Sequence, residues 1–202
     1  MKYKAFFVDF GGVLVLNRAK TIGEHFEKSY GLTHQDTMDV FGYLHSGERT
    51  ETEIDIFLEN HEIKKEIWQQ YLGEMFFSES RNENLVSVLE RAKESGIKII
   101  YTTNNSSDFL RIMQKYELEN LPHSVVNSSL SGFVKPDPLF WKFAFGEAEK
   151  FSSGIQKGEI LVIDDSYENM ESAIASGFDA ILYDGENADV KIKEFVLKDF
   201  FG

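Results

Sequence analysis

Asp9 closes a run of Phe and Val (AFFVDF) and is followed by Gly11 and Gly12. A carboxylate at the end of a buried strand is costly unless its charge is used. Polar residues recur at the same kind of place further on. Thr103, Asn104 and Asn105 follow IKIIYT, and Asp164 and Asp165 follow ILVI, with Asn169 about one helical turn later. Lys135 stands before a proline in SGFVKPDP. Singly, each has a plain structural reading. A strand-end Asp forms turns or caps helices, Thr-Asn caps, a lone Lys is solvated, and Gly-Gly makes a tight turn. Asp164 and Asp165 could cap a helix beginning near Tyr167. Their order is more telling: a nucleophile candidate, a hydroxyl–amide pair, a lysine and a carboxylate pair.

The elements that must position them are legible from hydrophobic pattern. Ala5–Phe10, Ile97–Thr102, Ile160–Ile163 and Ala180–Leu182 read as buried parallel strands, with His123–Ser128 a weaker fifth. Helical patterns cover Glu83–Ser95 (ended by Gly96), Asp108–Tyr116, Pro138–Phe151 and Tyr167–Ser176 (ended by Gly177). Strand and helix alternating at this spacing predict an α/β fold, an open parallel sheet with right-handed crossovers. Ligands of such sheets sit beyond the carboxyl ends of the strands, where most of the polar residues above fall. One connection is far too long for a βα loop. Residues 18–80 read as a small helical insert, so the core is 1–17 and 81–202. In the insert, Thr50 and Glu53 suit a capping box ahead of Ile54, Phe57 and Leu58, and Ile63, Ile67, Trp68, Tyr71, Leu72 and Met75 mark an apolar face.

Composition narrows the function. The chain of 202 residues has no cysteine, which excludes disulfides, thiolate metal sites and a cysteine nucleophile. A formal charge of −13 argues against nucleic acid or an anionic membrane as partner. It leaves room for a small anion where a cation reverses the field locally. No run is long enough for a membrane span, and MKYKAFFVDF has no signal-peptide core, so a cytoplasmic location is expected.

The motifs VDFGGV, YTTN, the KPDP lysine and VIDDSYEN, in this order, resemble those of the haloacid dehalogenase (HAD) superfamily. The insert resembles the helical cap of its first subclass, HSGERTETEIDIFLE looking like a recurrent cap segment. The resemblance implies a Rossmann-like core and an aspartyl-phosphate on Asp9. It implies Mg2+ held by Asp9, the Gly11 carbonyl and Asp165, with Asp164 direct or through water. It also implies phosphate contacts from Thr103, Asn104, Lys135 and the backbone near Gly11 and Gly12, with Asn169 orienting Asp165 or a metal-bound water. Phosphatases of the superfamily usually carry a second Asp two residues after the nucleophile, as general acid and base; here that residue is Gly11. Acid–base catalysis is worth about 10²–10⁴ in rate, so its loss weakens a phosphatase without abolishing it.

Three readings follow. The favoured one is a Mg2+-dependent phosphatase of a small phosphorylated metabolite, a sugar phosphate first, whose leaving group needs little protonation. The second is a non-catalytic protein that keeps the site for binding or regulation. The third is a 2-haloacid dehalogenase, which needs no acid but lacks a Tyr at Gly11 and gives Asp9, Asp164 and Asp165 no cation to relieve their repulsion. Arg18, Lys20, His25, Tyr43, His45 and Arg49 are candidates in the insert for contacting a leaving group. His123 and Trp141 read as packing residues.

Overall fold

The computed structural model describes residues 2–16, 28, 51–60, 62–66, 79–105 and 109–197. Its centre is a five-stranded parallel sheet: β1 (Ala5–Val8), β4 (Lys98–Thr103), β5 (Ser124–Asn127), β6 (Ile160–Asp164) and β7 (Asp179–Leu182), in the order β5-β4-β1-β6-β7. The chain builds outward from β1 on one side and returns to its other side for β6. Strand order therefore reverses at β1, the point where such sheets bind ligands.

Alternation along the strands sets two apolar faces. Phe6, Val8, Ile99, Tyr101, Leu161 and Ile163 face one core, shared with Leu85 and Leu89 of α2 (Glu83–Glu94) and Phe109 of α3 (Phe109–Lys115). Ala5, Phe7, Ile100, Ile160 and Val162 face the other, against Phe140, Trp141 and Ala144 of α5 (Pro138–Phe151) and Ala173 of α6 (Tyr167–Ala175). Burial on both faces is why these strands read as continuous apolar runs. Trp141 is fully buried and its indole N–H donates to Ser172 Oγ at 3.1 Å.

The expected strands and helices appear with ends shifted by one or two residues. β1 stops at Val8 because the Phe10 carbonyl turns to accept the Leu14 and Val15 N–H groups, each at 2.9 Å. α2 and α6 are followed, two residues beyond their last helical residue, by Gly96 and Gly177, both at positive φ. The pattern did not foresee α4 (Ser128–Ser131) or α7 (Glu186–Leu197), whose few core contacts are Ala188, Ile192 and Phe195.

It also missed a two-stranded antiparallel ribbon, β2 (Val15–Leu16) with β3 (Ser80–Arg81), which brings Leu16 beside Ser80. Between these strands, α1 (Glu51–Asn60) is helical as expected, with Leu58 and Ile63 buried. Thr50, Ile67, Trp68, Tyr71, Leu72, Met75, Asp108 and the insert candidates Arg18, Lys20, His25, Tyr43, His45 and Arg49 lie outside the described residues. Among the described residues, no helix is long and apolar enough to cross a membrane.

Candidate active site

Sheet alternation decides which side chains meet. Asp9, one residue past β1, belongs to the face of Ala5 and Phe7; Asp164, at the end of β6, belongs to that of Ile160 and Val162. Both point to the side where the chain enters α5, and Lys135 arrives from there. Its Nζ lies 2.9 Å from Asp9 Oδ1 and 2.6 Å from Asp164 Oδ2. The three are almost dry: Asp9 is 8 % exposed, Lys135 5 % and Asp164 0 %. Asp165 completes a carboxylate cluster with one oxygen of each of Asp9, Asp164 and Asp165 within 4.8 Å of the others, and it alone reaches solvent.

The charges are unbalanced. Burial pushes the Asp9 carboxyl up to about 7; the Lys135 ammonium opposes this, while Asp164 and Asp165 add to it. Loss of hydration and then the adjacent Asp164 charge push Asp165 up to about 6. Burial works against the Lys135 charge, but its pairs with Asp164 and Asp9 outweigh that and hold the ammonium protonated. Three carboxylates against one cation, all hard oxygen donors, fit a small divalent metal ion that keeps several of its own waters. Asp164 is the least open of them. Oδ2 accepts from Lys135, while Oδ1 accepts from the Ser166 N–H at 2.9 Å and from Asn169 Nδ2 at 3.0 Å. Asn169, expected to orient Asp165 or a metal-bound water, donates here to Asp164.

Two further expectations are redrawn by the hydrogen bonds. Asn104 clamps the backbone of Lys135, its Nδ2 donating to the Lys135 carbonyl at 3.0 Å and its Oδ1 accepting the Lys135 N–H at 2.9 Å. Its side chain therefore places the lysine, because both ends of the amide are already engaged. The Gly12 N–H donates to the Val15 carbonyl at 2.8 Å, so it closes the turn after β1. What Gly12 offers is space. It sits at φ +78°, and a Cβ there would lie 1.9 Å from Asp165 Oδ2. Gly12→Ala is expected to drive Asp165 out of the cluster and to cut any metal-dependent turnover by up to about a hundredfold, the upper end of the range for disturbing a metal's supporting residues. Turnover and metal titrations on the variant test this; unchanged metal dependence would disprove it.

Thr103 closes β4 and is buried. The residue before it is the more unusual. Thr102 is fully buried on the Ile100 face, which is also that of Asp9, and its hydroxyl has no partner among the described residues. Removing an unpaired buried hydroxyl with an isostere is neutral or stabilising. Thr102→Val is expected to raise Tm by about 2–4 °C, the shift for roughly 1 kcal/mol in a chain of this size. A fall in Tm would reveal a bound water or other partner on that hydroxyl.

The buried lysine and strand-end carboxylates lie at the switch point of a parallel sheet, where such sheets bind ligands, and the turn after β1 leads into β2, not into the helix that a dinucleotide site needs. The family comparison agrees: the model of the haloacid dehalogenase-like hydrolases matches residues 3–177, and the chain belongs to that family. Among solved structures it is similar to a predicted HAD-like family hydrolase from Porphyromonas gingivalis (TM-score 0.69, 19 % identity, covering 97 % of this chain and 98 % of that one). It is also similar to a predicted phosphoglycolate phosphatase from Haemophilus somnus (0.61, 19 %, 89 % and 84 %). An L-2-haloacid dehalogenase is similar as well (0.64, 14 %, 89 % and 86 %). At these identities the likeness shows the shared fold. No curated protein matches the chain in sequence.

Proposed function

We propose that the protein is a Mg2+-dependent phosphomonoesterase of a small phosphorylated metabolite, with Asp9 as nucleophile. The observation that carries this is the excess of carboxylates at the site. A dehalogenase working without metal would leave Asp9, Asp164 and Asp165 facing one lysine, with burial first and then the Asp164 and Asp165 charges raising the Asp9 carboxyl against the pull of Lys135. A nucleophilic carboxylate has to be ionised to attack, so the cluster calls for a further cation. Asp9, Asp165 and the Gly11 carbonyl would hold it, with Asp164 held back by Lys135, Ser166 and Asn169. When bound, Mg2+ would supply positive charge to the phosphate and to the ionised nucleophile.

The remaining chemistry belongs to the chain. An Asp9 carboxylate oxygen bonds to phosphorus as the bond to the leaving oxygen breaks, and the electron pair departs with that oxygen. Water then attacks the aspartyl-phosphate, releasing inorganic phosphate and restoring Asp9. Lys135 stays charged and offsets the nucleophile and the phosphoryl oxygens throughout. Asn104 fixes it from behind, and Thr103 is assigned as a hydroxyl donor to the phosphoryl group. Gly11 brings no acid to the leaving oxygen. Substrates whose leaving group departs as a weak base, such as a sugar 1-phosphate or an acyl phosphate, should therefore be preferred. The segment 18–80 is assigned as a cap that selects among them, and the cytoplasm as the location. Phosphate release across a panel of phosphorylated metabolites, with Mg2+ or EDTA, tests the reading. Turnover that persists in EDTA, or no turnover with any member, would reject it.

A further inference from the structure

Asn82 lies where the chain returns from β3 into α2, and every polar group it has is engaged. It is 4 % exposed. Its N–H donates to the Leu14 carbonyl at 2.9 Å, and its Nδ2 donates both to the Val13 carbonyl at 2.8 Å and to the Tyr183 hydroxyl. Its Oδ1 caps α2 by accepting the Leu85 N–H at 3.3 Å. The Tyr183 hydroxyl in turn donates to Asp189 Oδ1 at 2.9 Å, so the chain of bonds reaches α7.

Capping alone does not need this residue. Ser, Thr or Asp would serve as well at that position. The amide is distinctive in having two donors, and one of them holds the turn that carries the glycines. That turn is folded on itself: Leu14 and Val15 donate to Phe10, and Gly12 donates to Val15. The buried Val13 and Leu14 carbonyls are left out of these bonds; the Asn82 amide takes the first and the Asn82 backbone N–H the second. The turn therefore cannot shift on β1 without breaking bonds at Asn82.

We infer that Asn82 is a positioning residue for the metal end of the site: by holding the Val13 carbonyl with its amide it sets the Gly11 carbonyl and the Gly12 surface against which Asp165 lies. This rests on the reading that Gly11 and Asp165 take Mg2+. It assigns a functional role to the residue where segment 17–79 rejoins the core, far in sequence from every motif.

Two variants separate this role from capping. Asn82→Asp keeps an acceptor for Leu85 but turns an acceptor toward Val13. Asn82→Ser keeps a cap and removes the amide without adding charge. Mg2+ binding to the purified full chain is measured by calorimetry, beside thermal melts without metal. Both variants are expected to bind Mg2+ about tenfold more weakly, as for other residues that orient metal ligands. The loss should persist in Asn82→Ser, which is also the variant to use if the aspartate fails to fold. A lowered Tm with wild-type Mg2+ affinity would overturn the inference, leaving Asn82 a cap. Absence of Mg2+ binding by the wild type would overturn the metal reading, and this inference with it.

Discussion

Asp9→Asn is expected to reduce phosphatase turnover by at least about 10³-fold, because a neutral amide cannot form the acyl-phosphate bond and deletion of a nucleophile removes most of the catalysis. The fold should survive. The side chains are isosteric, and the Asp9 carboxyl, pushed up to about 7, resists ionisation in the metal-free protein. The sign of the pH effect follows. A carboxyl whose folded pKa exceeds its unfolded value near 3.9 binds more protons in the folded state, so its contribution to stability falls as pH rises between the two values. Wild type and variant should thus melt alike near pH 4. Asp9→Asn should gain relative to wild type as pH approaches 7, provided no divalent metal is present. Melting both proteins in EDTA across that range checks the stability claim. Undiminished turnover in Asp9→Asn would refute the nucleophile assignment.

Lys135→Met is expected to harm both stability and activity. Its Nζ is the one partner of Asp164 Oδ2 among the described residues and lies 2.9 Å from Asp9, and all three side chains are buried. Leaving two buried carboxyls without their cation costs about 3–5 kcal/mol, roughly a fifth or more of the 5–15 kcal/mol stability of an ordinary domain. Denaturant unfolding measures it. The double variant Lys135→Met/Asp164→Asn should recover part of the loss, since replacing both charges is far cheaper than orphaning one. A single variant as stable as wild type would show that the ammonium does not balance the pair.

Sequence reasoning reached the sheet because buried parallel strands carry a strong, simple signal: Ala5–Val8 and Ile160–Ile163 are apolar on both faces. Strand-end placement then identified Asp9, Asp164 and Asp165 as neighbours, and the structure brings them together with Lys135. The uses of the polar side chains were not legible. Asn104 and Asn169 looked like groups for ligand or metal, yet one holds the Lys135 backbone and the other Asp164, partners far apart in the chain for the first and set by helix entry for the second. Asn82 was not singled out at all, and nothing near it in sequence announces Val13 or Tyr183. The β2–β3 ribbon was hidden for another reason: strands of two residues are too short to show a period.

That ribbon bears on how such a chain can diverge. Leu16 and Ser80 are neighbours, so the polypeptide leaves the sheet and comes back through a single doorway. The ribbon holds the two ends of the passage together, and loop-closure entropy adds only about 0.6 kcal/mol for each doubling of length. No strand of the parallel sheet has to be re-registered, and the carboxylates and lysine keep their places. With residues 18–80 read as the substrate-selecting cap, selection on what the protein accepts can proceed separately from selection on how it reacts, and Asn82 stands at the doorway between the two.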